Sequence, residues 1–251
     1  MSKKPILLES LTGELSNQKI HTRAVMIEAG FDPSKIKFKT ENQEKLARSI
    51  YENTLTFSVG EAGTGKSFIS VFTALQLLAA DNNGYTKLVL AKSATPIPGQ
   101  DAGFLPGDIS QKLSVFVYSM KSIISEILGE EKAEKLWEQN VIEICALAYI
   151  RGSTMRNSIV LIDEGQNLSM HTMRTVLTRI GNDCKMIVSG DVNQSDAKFS
   201  RGNLDGLSDA LEHIPLIPDV GVVRFTEDDC VRSEIVKAIS KSYNERSQTN
   251  T

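Results

Sequence analysis

The sequence predicts an α/β fold, a three-layer domain around a mostly parallel sheet, and three observations predict it. Strand-like apolar runs alternate with helix-like segments from about residue 40 to residue 225. One run, Ser158-Ile159-Val160-Leu161-Ile162, is apolar after its first residue, as a strand buried on both faces should be. A glycine-rich turn ending in Lys66-Ser67 stands between a strand and a helix, the setting in which such turns cradle phosphate.

Residues 1–34 read as an N-terminal extension, with a helix from about Glu14 to Ala29 closed by Gly30 and followed by Asp32-Pro33. The main domain spans 35–245. Thr40-Glu41-Asn42-Gln43 has the spacing of a capping box, and its helix runs to Glu52 with Leu46, Ala47 and Ile50 inward. A strand from Thr54 to Val59 leads into the glycine turn, and an apolar helix runs from Lys66 to Ala80. After a strand over Lys87–Ala91, a long loop carries Pro96, Pro98, Gly99, Gly103, Pro106 and Gly107. Helices are expected at 109–128 and 131–139, and strands at Val141–Leu147, Ser158–Ile162, Lys185–Ser189 and Val220–Phe225. Helices at 169–180, 202–213 and 228–243 complete the alternation, and 246–251 is a polar tail.

The chain has 251 residues, of which 41% are hydrophobic and 24% charged, and this excludes disorder along most of it. A net charge of −3 draws neither nucleic acid nor an anionic membrane by long-range attraction. Residues 1–39 run the other way, with seven Lys/Arg against four Asp/Glu. Cys145, Cys184 and Cys230 lie far apart without CxxC spacing and read as reduced thiols. The longest apolar run, Ile144–Ile150, is far short of the roughly 20 residues that span a bilayer. The start of the chain is too weakly apolar for a secretory signal, so the expectation is a cytoplasmic protein with no membrane partner.

Gly60-Glu61-Ala62-Gly63-Thr64-Gly65-Lys66-Ser67 matches G-x-x-x-x-G-K-[ST]. Glycines let successive backbone N–H groups turn toward a β-phosphate, and the start of the next helix adds a positive dipole end. Lys66 is then expected on the β/γ oxygens and the Ser67 hydroxyl on Mg²⁺. The strand Ile159–Ile162 ends in Asp163-Glu164. Asp163 is the expected second Mg²⁺ ligand, and Glu164 the carboxylate that polarises water for attack on the γ-phosphate. A third strand ends in Ser189-Gly190-Asp191, followed by Gln194, whose amide suits the γ-phosphate or the attacking water. Asn193-Gln194-Ser195-Asp196 partly matches the guanine-reading N-K-x-D. It lacks the Lys, however, and Asp163 does not open a D-x-x-G, so ATP is the expected nucleotide.

Six segments, in order, resemble the PhoH-like protein family: Gly60–Ser67, Gly103-Phe104-Leu105-Pro106-Gly107-Asp108, Leu147-Ala148-Tyr149-Ile150-Arg151-Gly152, Asp163-Glu164-Gly165-Gln166-Asn167, Leu177-Thr178-Arg179-Ile180-Gly181 and Ser189-Gly190-Asp191-x-x-Gln194. The resemblance covers roughly 35–243. It implies a single RecA-like ATPase lobe, related to superfamily 1 helicases, with RNA-linked activity. It also implies that Gln43 reads adenine, that Gln166 and Gln194 sense the γ-phosphate, and that Arg232 is a catalytic arginine. The chain departs from the family at Lys92-Ser93-Ala94, where the family tends to carry R-P-A.

One lobe with one phosphate loop has no second lobe to close on ATP, so an arginine from a neighbouring subunit is expected, from Arg232, Arg224 or Arg179 in that order. That expectation implies a homo-oligomer, a ring and most simply a hexamer. A single-stranded RNA or DNA partner would meet Lys92 and the segment around Tyr149, which stacks bases if exposed and is core if buried. Two rivals stay open: a small-molecule kinase, which Glu164 beside Asp163 disfavours, and an ATP-gated assembly switch that shares every nucleotide residue.

Overall fold

The structure is a computed structural model that describes residues 6–80, 84–92, 109–150, 152–194, 205–232 and 235. Six parallel strands form one sheet: β1 (Leu55–Val59), β2 (Lys87–Lys92), β3 (Ile142–Ala146), β4 (Ser158–Ile162), β5 (Cys184–Gly190) and β6 (Val220–Arg224). Their order is β3-β2-β4-β5-β1-β6. Central β1, β4 and β5 are buried residue for residue, which is why Ile159–Ile162 shows no polar alternation. One strand, β5, separates the phosphate-loop strand β1 from the acidic strand β4, as in a RecA-like core.

Helices cover both faces. One apolar cluster packs α2 (Glu41–Glu52), α3 (Lys66–Ala79), α4 (Ile109–Leu128) and α5 (Glu130–Glu138) on the sheet through Leu46, Ile50, Leu75, Phe116, Met120, Ile124 and Leu136. The opposite face buries Phe57, Val160, Val188, Met173, Val176 and Leu207, the last three from α7 (Met170–Leu177) and α8 (Gly206–His213). Among the described residues no helix is long and apolar enough to cross a membrane.

Element ends differ from expectation for identifiable reasons. The first helix, α1, runs Ile6–Glu28 rather than Glu14–Ala29, and Val25, Met26 and Ala29 enter the main core. The strand expected through Leu147 stops at Ala146. There a four-residue helix, α6 (Leu147–Ile150), sends Leu147 and Ile150 into the core three residues apart. The helix expected at 169–180 is shorter at both ends: Ser169 caps it, and Arg179–Gly181 pairs with Met155 instead of completing a turn. The helix expected at 202–213 begins at Gly206, because the Asp205 carboxylate caps the N–H groups of Leu207 and Ser208. The start of the helix expected at 228–243 is replaced by a 3₁₀ turn, Glu227–Asp229, after which Cys230–Arg232 is not helical. Its remainder beyond Ile235, the loop carrying Gly103–Asp108, Arg151, Ser195–Asp196 and the polar tail lie outside the described residues.

Candidate nucleotide-binding site

Parallel pairing brings the carboxyl ends of all six strands to one edge of the sheet, and the chemistry gathers there. The loop after β1 enters α3 at Gly65, whose φ of +89° suits glycine. Gly65 supplies no side-chain cap, so the positive end of the α3 dipole is left for an anion. Lys66 is buried, and its ammonium folds back on the loop, donating to the Gly60 and Glu61 carbonyls at 2.6 Å each. Burial pulls its pKa below the usual 10.5, while the charges of Asp191, Asp163, Glu164 and Glu61 push it back up. Thr64 pins the turn from within, its hydroxyl donating to Glu61 O at 3.0 Å.

Ser67 and Asp163, 96 residues apart, meet directly: Ser67 Oγ donates to Asp163 Oδ1 at 3.3 Å. Burial pushes the Asp163 carboxyl up, and the Glu164 charge adds to it; the Glu164 N–H, Lys92 and the Ser67 hydroxyl oppose them. Glu164 occupies the left-handed region (φ +57°, ψ +44°), which costs a non-glycine residue about 1–2 kcal/mol. Its carboxylate accepts from Gln166 Nε2 at 2.6 Å.

A cavity of about 270 Å³ lies between these parts. Ala62, Gly63, Gly65, Lys66 and Ser67 line one side, and Asp163, Glu164, Gln166, Asp191 and Gln194 the other. Phe68 and Ile123, the latter from α4, add apolar wall, and the sequence reading gives neither a role. Nor does it give Asp191 a role, yet Asp191 is 5% exposed and its Oδ2 has no partner among the described residues. The signal for Asp191 was its place directly after an apolar strand, as for Asp163. Phe68 and Ile123 carry no such signal.

Three carboxylates against one ammonium make a poor site for a bare anion. No group of three His, Cys, Asp or Glu suited to hold a metal occurs among the described residues. Ser67 with Asp163 fits an ion that takes one or two protein oxygens and completes its shell from phosphate and water, as Mg²⁺ does.

Gln43 and Arg232 approach from outside the strand ends. Gln43 is 3% exposed; its Oε1 accepts from Lys39 N at 2.8 Å and its Nε2 donates to Thr64 O at 3.0 Å. The expected capping box is therefore half formed. Thr40 Oγ1 accepts from Gln43 N at 3.3 Å, but the return bond goes to Lys39 because the Gln43 amide reaches the phosphate loop. Arg232 lies on its own chain's loop, where a Cβ on Gly63 would stand 2.6 Å from Arg232 Cδ. Val231 N–H donating to Gly63 O at 3.0 Å holds it there. Arg232 therefore lies against the phosphate loop of its own chain.

Of the other cations, Arg224 is exposed at the end of β6, beside Val59, and Arg179 has a buried Nε with no partner among the described residues. Lys92, at the end of β2, stands 5.1 Å from the Phe116 ring centre. Tyr149 is 70% exposed, not core.

A family model described as PhoH-like protein matches residues 35–244. The chain is 34% identical over 211 residues to a PhoH-like protein of Bacillus subtilis, covering 84% of this chain and 65% of the relative. It is 35% identical over 216 residues to a PhoH-like protein of Synechocystis, covering 86% and 64%. With Protein PhoH of Escherichia coli K12 it shares 34% over 214 residues, covering 84% and 59%. The chain thus spans just under two thirds of the length of these curated relatives. Among solved structures, the Hef helicase domain of Pyrococcus furiosus aligns with 75% of this chain and 38% of its own at 14% identity. Its TM-score is 0.42, a likeness too distant to carry an argument.

Proposed function

The chain belongs to the PhoH-like protein family and is a nucleotide-binding phosphate-loop protein, and from that premise we propose that it binds ATP with Mg²⁺ and hydrolyses it as a motor or remodeller on single-stranded RNA or DNA. The observation that carries the hydrolytic reading is the meeting of Ser67 with Asp163 at 3.3 Å, with Glu164 next in the chain and in the same cavity wall. Ser67 and Asp163 would hold Mg²⁺, which neutralises charge on the phosphates and lets an anion sit among three carboxylates. Lys66 leaves the Gly60 and Glu61 carbonyls for the β/γ oxygens. Gln194 and Glu164 line the same cavity; Gln194 would meet the γ-phosphate or the attacking water, and Glu164 would take that water's proton.

The strand partner is supported by the exposure of Tyr149, just after β3, and by Lys92, the last residue of β2, since both strands end at the same sheet edge as the phosphate loop. The oligomer is a ring, most simply a hexamer. Arg232 serves the nucleotide of its own subunit, and exposed Arg224 is the cation we place on a neighbour's. The site lies in the cytoplasm, where ATP and Mg²⁺ are plentiful. The deciding experiment is steady-state ATPase of the full chain in Mg²⁺, with and without single-stranded RNA or DNA. Stimulation severalfold or more is the expected result. Hydrolysis indifferent to both strands would leave an ATP-gated switch in place of a motor.

A further inference from the structure

The turn after β4 carries Glu164, the turn after β5 carries Asp191 and Gln194, and one side chain joins the two. Gln166 is 2% exposed. Its Nε2 donates to Glu164 Oε2 at 2.6 Å and to Gln194 O at 3.2 Å, while its Oε1 accepts from Asp191 N at 3.0 Å. Two acceptors face the nitrogen and one donor faces the oxygen, so the amide fits only one way round. Gly190 makes room for it, since a Cβ there would stand 2.6 Å from Gln166 Oε1. Glu164 meanwhile sits in a backbone region that persists only where its surroundings over-determine it.

The family resemblance gives Gln166 contact with the γ-phosphate. A buried amide whose two hydrogens already have protein acceptors has no donor left for that task. We propose instead that Gln166 is a positioning residue. It fixes the Glu164 carboxylate through a charge-assisted bond and ties it to the Asp191–Gln194 turn, so the water-polarising group and the γ-phosphate side of the cavity are set together. Gln166 then acts through Glu164 and not on the nucleotide. The inference rests on the reading of Glu164 as the base.

Gln166→Met keeps the side chain's length and removes every donor. In steady-state kinetics, kcat falls about 10- to 100-fold, the scale of a misplaced catalytic group. KM for MgATP stays within about twofold, and so does the ratio of affinities for ADP and a non-hydrolysable ATP analogue. Gly190→Ala, which pushes on the same amide, lowers kcat in the same way. Adding Gln166→Met to Glu164→Gln lowers kcat no further, because the two act as one unit. A selective loss of the ATP analogue over ADP, or multiplicative losses in the double variant, overturns the inference and returns Gln166 to the phosphate. If Gln166→Met does not fold, as thermal unfolding reports, Gln166→Glu keeps the shape, withholds the donors at neutral pH and faces the same criteria. A wild-type protein without Mg²⁺-dependent hydrolysis defeats the hydrolase reading and the inference with it. An active wild type matched by Gln166→Met defeats the inference alone.

Discussion

Gln43 connects the start of α2 to the phosphate loop, so replacing it separates support of the loop from contact with a base. Gln43→Met keeps the volume and removes both amide partners. Thr64 is fully buried, and leaving its carbonyl without the Nε2 donor costs about 1–3 kcal/mol. Lys39 is exposed, so its N–H regains water and adds only a few tenths of a kcal/mol. A net loss of about 2 kcal/mol lowers the melting temperature of a chain this size by roughly 4–8 °C. The assay is thermal unfolding without nucleotide, followed by MgATP titration, in which a slackened loop binds more weakly. An unchanged melting temperature with a lost preference for ATP over GTP would refute the loop-support argument and assign the amide to adenine.

Glu164→Gln retains nucleotide binding while single-turnover hydrolysis falls by roughly 10²- to 10⁴-fold; turnover near wild type removes Glu164 from its role. Lys66 yields a pH prediction. Burial holds its empty-site pKa below 10.5, and bound phosphates raise it, so binding takes up a proton between the two values. MgATP affinity measured by titration calorimetry therefore weakens as pH rises through the lowered value of the free protein, beginning below 10.5, and an affinity flat across that range removes the Lys66 ammonium from the phosphates. Because Arg232 lies on its own loop, mixing inactive Arg232→Ala with inactive Lys66→Ala subunits restores no ATPase; recovery on mixing would place the arginine on a neighbour's nucleotide.

The phosphate loop was legible because its chemistry is local: eight consecutive residues set the turn, the helix start, the ammonium and the hydroxyl. Asp163 and Glu164 were legible as charges that end an apolar strand, and the parallel sheet follows from that strand's lack of alternation. What eluded the sequence depends on contacts between distant residues. The Gln43 amide goes to Thr64, 21 residues on, so a capping pattern true in its first half misleads in its second. The place of Arg232 against its own phosphate loop follows from the Val231–Gly63 backbone bond, which no spacing encodes. The helix ends moved for the same reason: Met155 claims the chain at Arg179–Gly181, and Leu147 turns inward where a strand was expected to continue. The contacts of Gln166 with Glu164, Asp191 and Gln194 were likewise out of reach, because they join turns that only the fold brings together.

The central claim is that the turn after β1 and the acids after β4 form one site for magnesium-bound ATP. Calorimetric titration of the full chain with ATP, in Mg²⁺ and again in excess chelator, tests it most directly. The account predicts saturable binding in Mg²⁺ that weakens at least tenfold without the ion and is lost in Lys66→Met. Equal affinity with and without Mg²⁺, or no binding at all, would contradict it.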